Sequence, residues 1–506
     1  LTEALGSTPS LDYWWALRDE RGAIVRRAES LTLPPQMAAL AQTNLITAPA
    51  RIAWVEQATP HFRLRAPPGT AAARDLGQLS AVAEASYTQA ASVMTTQPVS
   101  ISVYLVPRVF WQGGVAYGQG GPLEISYLDR NYAGIKSWSY FVHEVTHALS
   151  ADVLPRGAEV GGLLGEGVAV YASGGHYSLE PIDAWAAALT TSESYIPLCR
   201  LRYDFYGAQH EIAYEEGASF VGYLIRTYGL DTFRRIYAAQ RPQRGDQKID
   251  VEAFCAADDR RAVPPTGKRA SALERDWLTY LKTIRPTEEQ RRSWELMVRF
   301  FNTMRRYQET LDKPARDLPP PPDTWDRATA AKYLNAATGH RAIVLETMLG
   351  AALPAIQNGD LAHATALMDA IETTLPAPGA PAGSLAHDYD AIAGLVEAQA
   401  RALRIGVSDA LNRTLATPAL AATLPFTTSD LLHDLRITLV RLDVRGDTAE
   451  GTVQIDGDSL GGKRIARALY QARFMRTPGG WLLAGWIPRT PEIELAPGPS
   501  VIGATR

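Results

Sequence analysis

Cysteine is nearly absent from this chain: Cys199 and Cys255 are the two in 506 residues, so at most one intrachain bridge can form. They are compatible with one disulfide in an exported protein, or with two unrelated buried thiols. Long apolar runs are missing too. No segment approaches the ~18 consecutive apolar residues of a spanning helix, so no membrane span is expected. Nor is there an excess of charge of one sign, since 50 Lys and Arg stand against 54 Asp and Glu for a net charge of -4. That balance removes the electrostatic case for nucleic acid or an anionic membrane surface. With 46% hydrophobic and 21% charged residues, the composition is that of an ordinary globular protein, and the length suits two to four domains. The first residue is Leu1 rather than Met, as removal of a signal peptide or lipoprotein leader would leave it. With the low cysteine count, this is compatible with an exported protein.

What is present is concentrated between Ser137 and Gly175. His143 and His147 stand four apart, so on a helix both imidazoles leave one face a turn apart and can grip one ion. Glu144 follows the first His at the edge of that face, where its carboxylate can reach a water in the open coordination position without ligating the metal. Its expected role is general base. The third ligand is expected at Glu166, in Leu163-Leu164-Gly165-Glu166-Gly167-Val168-Ala169-Val170-Tyr171, after an interval of 18 residues (148–165). That interval can finish one helix, turn through Pro155-Arg156-Gly157 and Gly161-Gly162, and start a second helix against the first. Two imidazoles and one carboxylate leave the fourth tetrahedral position open, as a catalytic zinc requires. A metzincin would need Gly at 150 and His at 153, where Ser150 and Val153 stand.

HEVTH, 18 residues and a Glu in a Gly-Glu-Gly-x-Ala context resemble the gluzincin metallopeptidases, in particular the aminopeptidase-N-like enzymes and the bacterial peptidase-MA-like families. A further match is Tyr214-Glu215-Glu216-Gly217-Ala218-Ser219-Phe220, which is similar to the helix whose Tyr stabilises the oxyanion in those families. The resemblance covers roughly residues 60 to 283. It implies one zinc ion per chain on His143, His147 and Glu166, with Glu144 and Tyr214 catalytic, a peptide or protein as substrate, and a secreted or cell-envelope protein, bacterial in origin. The alternative for Tyr214 is a plain helix-packing tyrosine. The sequence departs from the aminopeptidase pattern at Gly113-Gly114-Val115-Ala116-Tyr117, where Ala116 takes the place of the Glu that holds a substrate's free amino terminus. The departure favours an endopeptidase, although Glu124 nearby could substitute in a different geometry. A non-hydrolytic zinc-binding scaffold and an aminopeptidase are the alternatives. His176 and His210 could line the cleft, but a lone His is more often a surface or satisfied core residue.

The expected fold is α+β: a thermolysin-like gluzincin domain with a small antiparallel sheet and a helical subdomain, then a helical linker and an α+β module. Residues 1–60 read as an extension and 61–285 as the metallopeptidase domain. A helical and Pro-rich linker follows at 286–325, and the C-terminal module at 326–506. Strands are expected at 61–64 and, from strict alternation, at Val99–Leu105, flanking a helix over 71–95. Gly113–Tyr127 reads as a hairpin whose second strand is a sheet edge above the zinc helix. Gly114, Val115 and Ala116 on it would bind substrate by main-chain pairing, and the alternative is a hairpin with no ligand role. After the zinc helices, 182–190 reads as helix, 195–206 as loop and 212–228 as the Tyr214 helix. The helix over 286–312 carries an aromatic stripe, read as a packing face. In the last module, helices within 329–405 are followed by four strands from about 434 to 486. Helices followed by a curved antiparallel sheet ending in Gly-Gly-Trp resemble the nuclear-transport-factor-like domains, and the module reads as a binding or packing unit.

Overall fold

The structure is a computed structural model. It describes residues 52–489, apart from 95–98, 110–112, 118–119, 152, 155–160, 177, 192–193, 241–254, 257–258, 314–319, 335–338 and 377–382. Before residue 52 it describes four short strands, Asp12–Tyr13, Ala16–Arg18, Ile24–Arg27 and Leu31–Thr32. The expected turn at Pro155-Arg156-Gly157 lies outside the described residues.

The architecture is α+β. Strands β1 (Val55–Ala58), β2 (Phe62–Ala66), β3 (Ile101–Val106), β4 (Gly114–Ala116) and β5 (Leu123–Ser126) form one sheet in the order β1-β2-β3-β5-β4. It is mixed rather than antiparallel: β2, β3 and β5 run parallel, and only the outer strands β1 and β4 are antiparallel to their neighbours. The parallel β2–β3 pair needs a crossover, and α1 (Ala71–Val93) supplies it. Thr70 caps α1 by accepting from Ala73 N, and its Ala-rich face buries Leu76, Leu79, Val82 and Ala83. The expected hairpin forms, but with its strands exchanged in role. β5 is interior because it pairs on both sides, which leaves the first strand, β4, at the edge.

Helices α2 (Ser137–Ala151), α3 (Gly162–Ser173), α4 (Ile182–Thr191), α5 (Leu198–Tyr203), α6 (His210–Tyr228), α7 (Leu230–Ala238) and α8 (Ala270–Leu281) follow. The segment expected as loop over 195–206 contains α5, which packs against α3 and α6 and precedes a turn at Phe205-Tyr206-Gly207. Cys199 on α5 is bonded to Cys255, with Cα atoms 5.6 Å apart, which resolves the alternative in favour of one bridge. Gly174 at the end of α3 adopts φ 76°, a left-handed cap that returns its N–H to the last turn.

α9 (Glu288–Leu311) opens with a capping box between Thr287 and Gln290. Its stripe Trp294, Met297, Phe300, Phe301 and Met304 is buried, packing on α4 on one side and on α11 (His340–Gln357) and α12 (Leu361–Thr374) on the other. α10 (Arg327–Leu334) lies between α9 and α11 and ends before the undescribed 335–338. One hydrophobic cluster therefore runs from Phe62 to Trp486, across the proline-rich stretch expected to separate domains. Buried ion pairs reinforce the junction: Arg130 Nε donates to Glu346 at 2.5 Å, and Arg108 is paired with Asp312. α13 (Ser384–Ile405) then packs beneath an antiparallel meander of β6 (Leu432–Arg445), β7 (Thr448–Ser459), β8 (Arg464–Thr477) and β9 (Gly480–Arg489). Among the described residues, no helix is long and apolar enough to cross a membrane.

Candidate metal centre

α2 brings three of the expected residues together. His143 and His147 leave one face with ring centroids 4.8 Å apart and Nε2 atoms 3.1 Å apart. Glu166 enters from α3, its Oε2 lying 3.2 Å from His143 Nε2 and 3.1 Å from His147 Nε2. Three lone-pair atoms thus form a nearly equilateral triangle. Ligands bound to one tetrahedral ion at ~2.0–2.1 Å lie about 3.3 Å from one another, so the triangle has the size of one face of that tetrahedron. His143 and Glu166 are buried, His147 is half-buried, and the group could hold a metal ion.

The electrostatics agree. Burial depresses the pKa of His143. Burial also opposes a charge on His147, but the Glu166 carboxylate beside it carries its pKa up to about 9. Burial works against the Glu166 carboxylate in turn, and the two imidazoles overcome this and hold it well below the ordinary range. Without a cation, one proton rests on His147 against Glu166. A cation bound to the three atoms takes its place.

α3 reaches α6 closely because glycines line the crossing. A Cβ on Gly167 would lie 2.6 Å from the Gly217 carbonyl oxygen, so Gly167 is a packing requirement of this helix pair. The same crossing carries Tyr214 to the cluster. Its ring is stacked 4.2 Å from His176 and 3.9 Å from His210, and its centroid is 6.1 Å from that of His143. Both added histidines are held neutral at pH 7. Burial, with His210 and His143 adding to it, drives His176 well below its usual pKa, and burial takes His210 to about 4. Of the two readings open for these residues, surface or core against cleft, the structure places them in the wall around Tyr214.

The Glu144 carboxylate lies against β4. A Cβ on Gly114 would stand 2.3 Å from Glu144 Oε1, and one on Gly113 (φ 152°) would stand 1.6 Å from Tyr140 Cε1, one turn earlier on α2. The Gly-Gly pair lets the edge strand lie directly on the helix. Gly114, Val115 and Ala116 are that strand, with Val115 opposite Glu124 on β5. Burial pushes the Glu144 carboxyl up to about 8, His147 opposing and Glu166 adding to it. Glu144 Oε2 has no protein hydrogen-bond partner among the described residues. A carboxyl poised near neutrality with one oxygen uncommitted is suited to taking and returning a proton.

Two further residues stand at the site: Tyr206, which has no signature in the sequence, and Glu124, which the sequence offered only as a substitute amine anchor. Tyr206, in the turn after α5, donates its hydroxyl to Glu166 Oε1 at 2.6 Å from 40 residues away, a distance in sequence that no spacing rule anticipates. Glu124 is 1% exposed; its Oε2 accepts from the Tyr117 hydroxyl at 3.0 Å, and its Oε1 has no partner among the described residues. Burial raises it to about 8, the Tyr117 bond opposing and the charge of Glu144 adding to the rise.

No protein-family model matches the chain, and no curated protein matches it.

Proposed function

We propose that this chain is a zinc-dependent peptidase of the gluzincin kind, hydrolysing internal peptide bonds of a peptide or protein substrate. The observation that carries the reading is the convergence of His143 Nε2, His147 Nε2 and Glu166 Oε2 beside an uncommitted Glu144 oxygen and an edge strand. An N₂O donor set with a fourth position open suits zinc, which when bound supplies Lewis-acid polarisation and lowers the pKa of a water to near 7. The roles of the protein groups follow from their placement. Glu144 removes a proton from the attacking water and returns it to the leaving amine nitrogen. β4 aligns an extended substrate by main-chain pairing, so recognition tolerates many side chains. Tyr214, stacked against both His176 and His210, donates its hydroxyl to the carbonyl oxygen as negative charge grows there.

Internal cleavage is favoured because Ala116 stands where an amine-binding carboxylate would be needed. Glu124 is the nearest replacement, but it is buried and its Oε2 is already taken by the Tyr117 hydroxyl. The Cys199–Cys255 bridge suits an oxidising compartment, in line with export. The test is Glu144→Gln. The variant is expected to bind one zinc as the parent does while kcat/KM falls about 10²–10⁴-fold. Full activity in this variant would refute the role given to Glu144.

A further inference from the structure

Glu166 presents two oxygens, and the structure gives them different neighbours. Oε2 faces the imidazoles, while Oε1 accepts from Tyr206. The turn carrying Tyr206 is pinned by its neighbour Phe205, which is 4% exposed, lies against Gly162 at the head of α3 and has its ring 5.0 Å from that of Tyr214. Tyr206 itself is 65% exposed, yet its hydroxyl points inward to the carboxylate. Packing does not account for a large aromatic placed with its ring toward solvent and its polar tip on a buried acid. We propose that Tyr206 is a positioning residue of the metal centre. Its hydroxyl occupies Glu166 Oε1, so the carboxylate offers the cation Oε2 alone, and its exposed ring screens the centre from solvent.

This rests on the reading of His143, His147 and Glu166 as metal ligands. The physical reason is the one that governs outer partners of ligands in general. A carboxylate whose second oxygen is held cannot swing between one- and two-oxygen coordination, and loss of such a partner typically costs 10–100-fold in metal affinity.

The experiment uses the full chain and zinc alone, in competition with a chromophoric chelator, comparing the parent with Tyr206→Phe and His143→Ala. The Phe variant keeps the ring and removes only the hydroxyl. Its zinc affinity is expected to fall about 10–100-fold while the melting temperature of the metal-free protein is unchanged. The visible spectrum of the cobalt-substituted variant should lose intensity as coordination rises above four. Zinc affinity and cobalt spectrum equal to the parent's overturn the proposal. Unchanged affinity in His143→Ala overturns instead the ligand set beneath it, so the two failures are distinguishable.

Discussion

Histidines meet carboxylates in two regions of this molecule, and the two arrangements differ in kind. In the C-terminal module, His340 lies between Asp390 and Glu397, each 2.9 Å from a different ring nitrogen, and His363 Nε2 is 2.8 Å from Asp443, itself paired with Arg445. Each ring nitrogen in these pairs has its own partner, and the His340 group is about one-third exposed. Around α2 and α3, two imidazole nitrogens converge on a single carboxylate oxygen and on each other. The lesson is that proximity of His and Glu does not mark a candidate metal centre. Convergence of three donor atoms on one another, from two helices, does.

The sharpest way to break this contrast is to remove one imidazole from each region. His143→Ala is expected to abolish stoichiometric zinc binding, and His363→Ala to leave it intact; equal loss in both would erase the distinction. The bridge comes next, since it belongs to the first region. Cys199→Ser opens a link across a sequence separation of 56 residues and is expected to lower unfolding free energy by about 4 kcal/mol, measured by denaturant titration. A smaller effect should come from Gly114→Ala. Its Cβ must displace Glu144 or β4, and kcat/KM is expected to fall about 10²-fold with zinc retained.

pH sharpens the comparison further. His147 has its pKa raised to about 9 in the metal-free fold, above the value of a free imidazole. The stability it contributes is therefore fully present below the unfolded value of about 6.5 and is lost as pH rises through about 9. Zinc must displace that proton, so affinity should rise about tenfold per pH unit up to about pH 9 and then level off. A flat profile would show that His147 is not a ligand. The smallest change is expected from His340→Ala, about 0–1 kcal/mol of stability, because its partners are solvent-exposed.

The site was legible in the sequence where its geometry is helical and local. His143, Glu144 and His147 are fixed by one turn of α2, and the two-helix interval to Glu166 follows from chain length. The amphipathic α9 and the meander β6–β9 were legible for the same reason, because periodicity and turn residues are local signals. Strand order was not. Nothing local distinguishes β5, enclosed between β3 and β4, from an edge, since pairing is decided by the parallel crossover through α1. Tyr206 escaped because its position depends on where a turn is pinned by Phe205, while His176 and His210 could be named as candidates but not placed, because a stacked histidine carries no spacing. The continuous core across α9 was hidden by the proline run at 319–322, which signals a break in the chain without showing what packs across it.

The most direct test is incubation of the zinc-loaded chain with an unstructured polypeptide whose amino terminus is blocked, with and without a chelator, followed by mass analysis of the products. The account expects internal fragments that disappear with chelator and return with added zinc. One bound zinc per chain with no cleavage of blocked or free substrate would contradict it and leave a metal-binding protein without hydrolytic function.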